Sequence, residues 1–152
     1  MIIIEQVGTD EAEVVIEFVE RLLVELGTRD NSFKGLDHER VIDHWDRYGA
    51  DFTAFVARDD DQNVVGVITL VECFAVFTNG LFGIINELYV DPDYRSKGVG
   101  LRLLESVLAY ARKAGWKRVD VTAPPGDEWR RTVAFYEREG FVFSGPKLKF
   151  EL

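Results

Sequence analysis

Cysteine occurs once in the 152 residues, at Cys73, which excludes an internal disulfide framework and any multi-cysteine metal site. A chain without disulfides suits a reducing compartment, so the cytoplasm is the simplest expectation. Histidine is nearly as scarce. His38 and His44 are the only two, and their spacing on a helical segment turns them roughly 120° apart, too far for a metal pair. No metal is therefore expected. Long apolar runs are missing as well: "MIIIEQVGTD" reaches Glu5 directly after its isoleucines, far short of a signal peptide's apolar region or a membrane span. The expectation is a protein that is neither exported nor membrane-bound. Positive charge is also short, with 18 Lys+Arg against 27 Asp+Glu and a net charge of -9, which argues against non-specific nucleic-acid binding through a basic surface. No repeat, low-complexity stretch or linker interrupts the chain, and its length suits one domain over residues 1–152.

The charge that is present is unevenly placed. Residues 1–91 carry 6 Lys+Arg against 19 Asp+Glu, whereas residues 92–152 carry 12 against 8. Ordinary solvated helix faces would produce this split, and so would a cationic partner on the first half and an anionic one on the second.

Periodicity divides the chain into alternating elements. Met1 to Val7 reads as a strand and Thr9 to Gly27 as an amphipathic helix, with Val14, Val15, Phe18, Leu22 and Leu26 at helical spacing. "TRDNSFKG" is a loop, and Asp37 caps a second helix through Tyr48. "DFTAFVAR", "VVGVITLVECFAVF" and "LFGIINELYV" then read as three antiparallel strands, joined by the polar turn "DDDQN" and by "TNG" at Thr78–Gly80. A helix to about Ala114, a strand "KRVDVTA", a helix from Asp127 to Glu139 and two terminal strands, "FVFS" and "KLKFEL", complete the chain. The expected order is β-α-α-β-β-β-α-β-α-β-β, a single-domain α/β fold with a mixed sheet.

The third of the antiparallel strands leads through "DPDY" into "RSKGVG" and an apolar helix. The first N–H groups of a helix lack internal partners and carry the positive end of its dipole, so such a junction can bind an anion through its backbone, and glycine allows close approach. The spacing is not the dinucleotide pattern GxGxxG, since Leu103 follows Gly98 and Gly100 where a third glycine would stand; nor does a GK[ST] close it as a P-loop. What is present is Arg-x-x-Gly-x-Gly after "LYVDPDY", and downstream "TVAFYEREGF" at Thr132–Phe141.

These two motifs, in this order, resemble the acetyl-CoA-binding motif and the following Phe-Tyr helix of the GNAT N-acetyltransferase superfamily, and the element order agrees with that fold. The resemblance implies an acetyl-CoA-dependent N-acetyltransferase that moves the acetyl group directly to a primary amine. The alternative is a catalytically silent domain that binds acetyl-CoA as a sensor or interaction module. It further implies that backbone groups of Leu88, Tyr89 and Val90 pair with the pantetheine arm, and that the run Arg95, Ser96, Lys97, Gly98, Val99 and Gly100 holds the pyrophosphate. Tyr136 matches the family's general acid, a phenol whose usual pKa of about 10 keeps it protonated at neutral pH. A backbone N–H around Val90 would meet the oxyanion.

Glu87 stands where family members that acetylate diamines carry an acidic residue, so it is either a base or a holder of the amine, or else an ordinary strand glutamate. If Tyr89 shares its face, both line the acceptor cleft while Leu88 and Val90 point the other way. With that resemblance the charge split fits a cationic acceptor and an anionic cofactor, and small polyamine-like amines are the leading acceptor class. A homodimer is among the assemblies the family implies. Two positions depart from the family pattern: Trp129 and Thr132 stand where many members carry Asn and Ala.

Overall fold

A computed structural model describes residues 1–27, 33–124, 126 and 129–152. Five strands form one sheet in the order β1-β2-β3-β4-β5: β1 Ile3–Val7, β2 Phe52–Arg58, β3 Val64–Ala75, β4 Gly80–Val90 and β5 Val119–Val121. Among the described residues four α-helices accompany them, α1 Ala12–Leu26, α2 His38–Tyr48, α3 Val99–Ala114 and α4 Arg130–Arg138. The chain divides into two compact units, Met1–Asp120 and Val121–Leu152.

In the first unit, β1 to β4 are antiparallel neighbours. The Val56↔Val67 pair and Tyr89 face α1, packing with Val15 and Phe18 in a buried cluster that Val14, Leu22 and Trp45 border. The next pair along, Phe55↔Ile68, faces the opposite way, because neighbouring strand residues alternate. There the Phe55 ring meets Tyr110 of α3 at 6.1 Å, and the Thr53 hydroxyl donates to the Tyr110 oxygen at 3.3 Å. The sheet is thus covered by α1 and α2 on one side and α3 on the other, an α/β layering. Val99, Leu103, Leu104 and Val107 of α3 are fully buried, each removing apolar surface worth about 1.5–3 kcal/mol per side chain.

Local signals set most boundaries. The Asp37 side chain accepts the Arg40 N–H at 3.1 Å and starts α2, and Gly115, with φ +80°, ends α3 by donating to the carbonyls of Ala111 and Arg112. Between β3 and β4, Asn79 (φ +60°) and Gly80 (φ +140°) make the turn, while the Thr78 hydroxyl donates to the carbonyls of Ala75 and Gly80. α1 begins later than its apolar period suggests, because Thr9–Glu11 forms a separate 3₁₀ turn. Of the expected "TRDNSFKG" loop, residues 28–32 lie outside the described residues, as does the Asp127 start assigned to the last helix.

One expectation is corrected. The terminal strands "FVFS" and "KLKFEL" do not form: residues 141–152 take no strand conformation, and Val142, Phe143, Leu148 and Phe150 are each more than four-fifths exposed. β-propensity marks a capacity to pair, and a strand forms only where a neighbouring backbone completes its hydrogen bonds. The eleven-element order is accordingly shortened by two, while the α/β class stands.

Gly83 of β4 makes a sharp test of this packing. A Cβ there would lie 2.2 Å from the Trp116 ring, which is 7% exposed and is anchored by its indole N–H donating to Glu72 Oε2 at 2.8 Å. Gly83→Ala should therefore cost about 1–3 kcal/mol of stability, measured as the shift in denaturant midpoint.

Candidate active site

The site is built on an irregularity in β4. In the β3–β4 ladder Leu70 pairs with Ile85, but the next residue of β3, Thr69, pairs with Glu87, so Asn86 is an extra residue opposite nothing. Such a β-bulge shifts the alternation by one and sends every later side chain to the other face. Ile85 is buried on the α3 side. Without Asn86 as the extra residue, Glu87 and Tyr89 would follow it there. With the bulge, Glu87 and Tyr89 share the α1 face, while Leu88, paired with Ile68, and Val90, paired with Gly66, face α3. The expected sharing of one face by Glu87 and Tyr89 is what the register produces.

Glu87 is half-buried, and burial pushes its carboxyl up to about 7. The hydroxyl of the buried Thr69, directly opposite on β3, donates to its Oε2. A carboxyl near neutrality with one oriented donor can accept or release a proton at working pH, which an ordinary surface glutamate does not do.

Beyond Val90 the chain makes a 3₁₀ turn over Pro92–Tyr94, capped by the Asp91 side chain, which accepts the Asp93 N–H at 2.9 Å. That backbone bond, together with Arg21, holds the Asp91 carboxyl below its usual range. Ser96 (φ +61°) and Gly98 (φ +80°) then take left-handed conformations. For Ser96 this costs about 1 kcal/mol, and Gly98 takes it freely. Gly98 starts α3 with no side-chain cap, and the first ladder bond runs from the Arg102 N–H to the Gly98 carbonyl at 3.1 Å. The N–H groups of Val99, Gly100 and Leu101 therefore have no partner within the helix. A Cβ on Gly98 would meet nothing within 4 Å, so it is the left-handed backbone and not crowding that favours glycine there. The chemistry of an uncapped helix start behind two left-handed residues fits a phosphate.

The two cationic side chains of the loop have partners of their own. Arg95 donates to both oxygens of Glu25, at 2.9 and 2.8 Å, and to the Val90 carbonyl at 3.0 Å. The Lys97 ammonium lies 5.4 Å from the Tyr94 ring centroid.

On the α1 side an open cleft of about 800 Å³ is lined by Glu17, Glu20, Arg21, Glu25, Tyr89 and Pro92, among others. Its wall is fixed by His38, whose Nδ1 lies 2.8 Å from Glu13 and Nε2 2.7 Å from Glu20. Contacts with Glu13 first, then Glu20, raise the His38 pKa. His44 stacks edge-on against Tyr48 instead. Among the described residues no group of His, Cys, Asp and Glu has a geometry to hold a metal ion, and no helix is long and apolar enough to cross a membrane.

In the second unit Tyr136 is the buried residue of α4, edge-on to Phe135 at 5.1 Å and to Phe141 at 5.3 Å, and burial raises its phenol pKa. A phenol so placed stays protonated and keeps its proton available to a stronger base. Trp129 immediately precedes α4 as its N-cap, and Thr132 lies in the helix's first turn.

Residues 50–143, which contain the bulge, the glycine loop and α4, match the acetyltransferase (GNAT) domain. The chain belongs to this family. A relative, an uncharacterized N-acetyltransferase of Methanocaldococcus jannaschii, is 39% identical over 57 residues, which make up 38% of this chain and 24% of that protein. The chain thus spans about a quarter of the length of this curated relative. An aminoglycoside acetyltransferase from an uncultured soil metagenomic sample, in complex with sisomicin, has a TM-score of 0.77 at 18% identity, covering 99% of this chain and 95% of that one. A predicted acetyltransferase with acetyl-CoA from Clostridium acetobutylicum has the same TM-score at 14% identity, over 99% and 96% of the two chains. At these identities the likeness is one of fold. Thr69 and Asn86 within the matched region, and Arg21 and Glu25 on α1 before it, are residues that sequence reasoning missed: a threonine in an apolar strand and an Arg and a Glu on an amphipathic helix carry no signal until their partners are known.

The His38 clamp has a pH signature. A folded-state pKa raised above the ordinary 6.5 stabilises the fold below that value, and the contribution is lost as pH rises through the raised pKa. His38→Gln should lower the thermal midpoint most at about pH 5.5 and least at about pH 9, with calorimetry at both as the check.

Proposed function

We propose that this GNAT domain is an acetyl-CoA-dependent N-acetyltransferase that moves the acetyl group directly to a primary amine of a small cationic molecule. One arrangement carries the reading: a half-buried carboxyl that titrates near neutrality, Glu87, lies on the strand that leads through one turn into an uncapped helix start suited to a phosphate. The aminoglycoside acetyltransferase and the acetyl-CoA-bound Clostridium protein, as fold neighbours, lend support to the acceptor and co-substrate classes.

Acetyl-CoA supplies a thioester-activated acetyl group when bound. The backbone N–H groups of Val99, Gly100 and Leu101 hold its pyrophosphate, and the backbone of Leu88, Tyr89 and Val90 receives its pantetheine arm. Ser96, Lys97 and Gly98 shape the turn that exposes those donors, and Arg95 stands at its start. Glu87 takes the proton that the attacking amine must lose; its affinity for protons suits that task near neutral pH, and Thr69 fixes the oxygen that stays hydrogen-bonded. As the new N–C bond forms and the C–S bond breaks, Tyr136 delivers a proton to the departing sulfur. The acidic cleft beside α1 attracts a cation, which places polyamine-like amines first among acceptors and aminoglycosides next.

A panel of primary amines with purified protein, read as thiol release from acetyl-CoA, tests the reading, and no release with any member would end it. With an active amine, kcat/KM should climb as pH rises through about 7, where Glu87 loses its proton, and Glu87→Gln should flatten that limb. Tyr136→Phe should lower kcat by about tenfold or more, and unchanged turnover would remove the phenol from the mechanism.

A further inference from the structure

The arginine that opens the glycine loop is turned away from the helix start it precedes. Arg95 places Nη1 and Nη2 on the two carboxylate oxygens of Glu25, Nε on the Val90 carbonyl, and its guanidinium carbon 5.1 Å from the Tyr89 ring centroid. Every nitrogen of the guanidinium has a partner on α1 or β4, so three of its five N–H donors are engaged away from the glycine loop. A second pair runs in the opposite sense. Arg21 of α1 donates through Nη2 to Asp91 Oδ2 at 3.0 Å, and its guanidinium carbon lies 5.2 Å from the Tyr89 ring centroid and 4.7 Å from that of Phe18.

The spacing makes this a two-point clamp. Arg21 and Glu25 lie one helical turn apart on one face of α1. Asp91 and Arg95 bracket the 3₁₀ turn Pro92–Tyr94. The charges cross, with cation to anion at one point and anion to cation at the other, and both guanidinium groups lie against the Tyr89 ring, at 5.2 and 5.1 Å from its centroid. Such a crossed pair fixes both position and direction, and the bidentate Arg95–Glu25 contact adds planar specificity. Each pair is over a quarter exposed at both ends, so its contribution to global stability is small. Its local effect is larger, because residues 91–95 lead straight into the left-handed Ser96 and Gly98 that aim the open N–H groups of α3.

We infer that Arg21, Glu25 and Arg95 are positioning residues which hold the glycine loop in its phosphate-receiving shape from α1, and that Arg95 serves the pyrophosphate of acetyl-CoA through Glu25 and not by direct contact. The inference rests on the proposed co-substrate for its ligand, while the clamp itself concerns the unliganded protein.

Two measurements test it: calorimetric titration with CoA, and amide hydrogen exchange of residues 91–101 without ligand, on the unaltered protein, Glu25→Gln, Arg95→Gln and the double variant. Each single change should weaken CoA binding about threefold to tenfold, and the double should fall well short of the sum of the singles, since both remove the ion pair they share. Exchange over 91–101 should quicken in all three while β3 amides stay as they were. Weakened binding in Arg95→Gln with none in Glu25→Gln would overturn the inference in favour of direct phosphate contact, and unchanged exchange in every variant would overturn it outright. If the unaltered protein takes up no CoA, the proposed function falls, and the exchange result still decides for or against the clamp.

Discussion

The single extra residue at Asn86 determines which side chains meet in the candidate site. Strands alternate strictly, so the face on which Glu87 and Tyr89 emerge depends on one count along β4. Ile85 faces α3 and is buried there; two residues on, Glu87 would have entered the same apolar layer, among Leu103 and Val99. A carboxyl in that layer would lose most of its hydration with no donor to replace it. The bulge sends it instead toward α1, where Thr69 supplies a donor and the surroundings are dry enough to raise its pKa. It also delivers the Tyr89 ring to Phe18, edge-on at 6.0 Å, so the catalytic reading and the packing of α1 depend on the same irregularity.

Between β4 and α3, structure propagates by charge more than by apolar burial. The turn after β4 buries little, and it is fixed by discrete contacts: Arg21 to Asp91, Arg95 to Glu25, and the Tyr94 hydroxyl to Asp59 at 3.0 Å. These contacts tie the loop to α1 on one side and to the β2–β3 turn on the other. A phosphate-receiving loop gains from being fixed in advance, because a loop that must order itself on binding loses affinity in doing so.

The same contacts change the meaning of the acidic first half. Much of its excess negative charge is committed within the fold: Glu5 and Glu11 to Arg58, Glu13 and Glu20 to His38, Glu25 to Arg95. The field that a cationic acceptor would meet is therefore weaker than the total of the half implies, since two of the three glutamates lining the α1 cleft, Glu20 and Glu25, already face His38 and Arg95.

The sequence by itself determined the kinds and order of elements in the first unit, since helical period, β-branched runs, the Asp37 cap and the Asn79–Gly80 turn are local signals. It also determined the family, through Arg95–Gly100 and the Tyr136 motif. What it could not determine depended on pairing between distant segments. The bulge exists only in the register of β4 against β3; the partners of Arg95 and His38 lie on α1, far away in the chain; and the terminal strand candidates had the propensity but no neighbour to complete their hydrogen bonds. Local propensity is written residue by residue, whereas register, ion pairing and strand formation each require a second segment, and only the tertiary structure brings that segment into place.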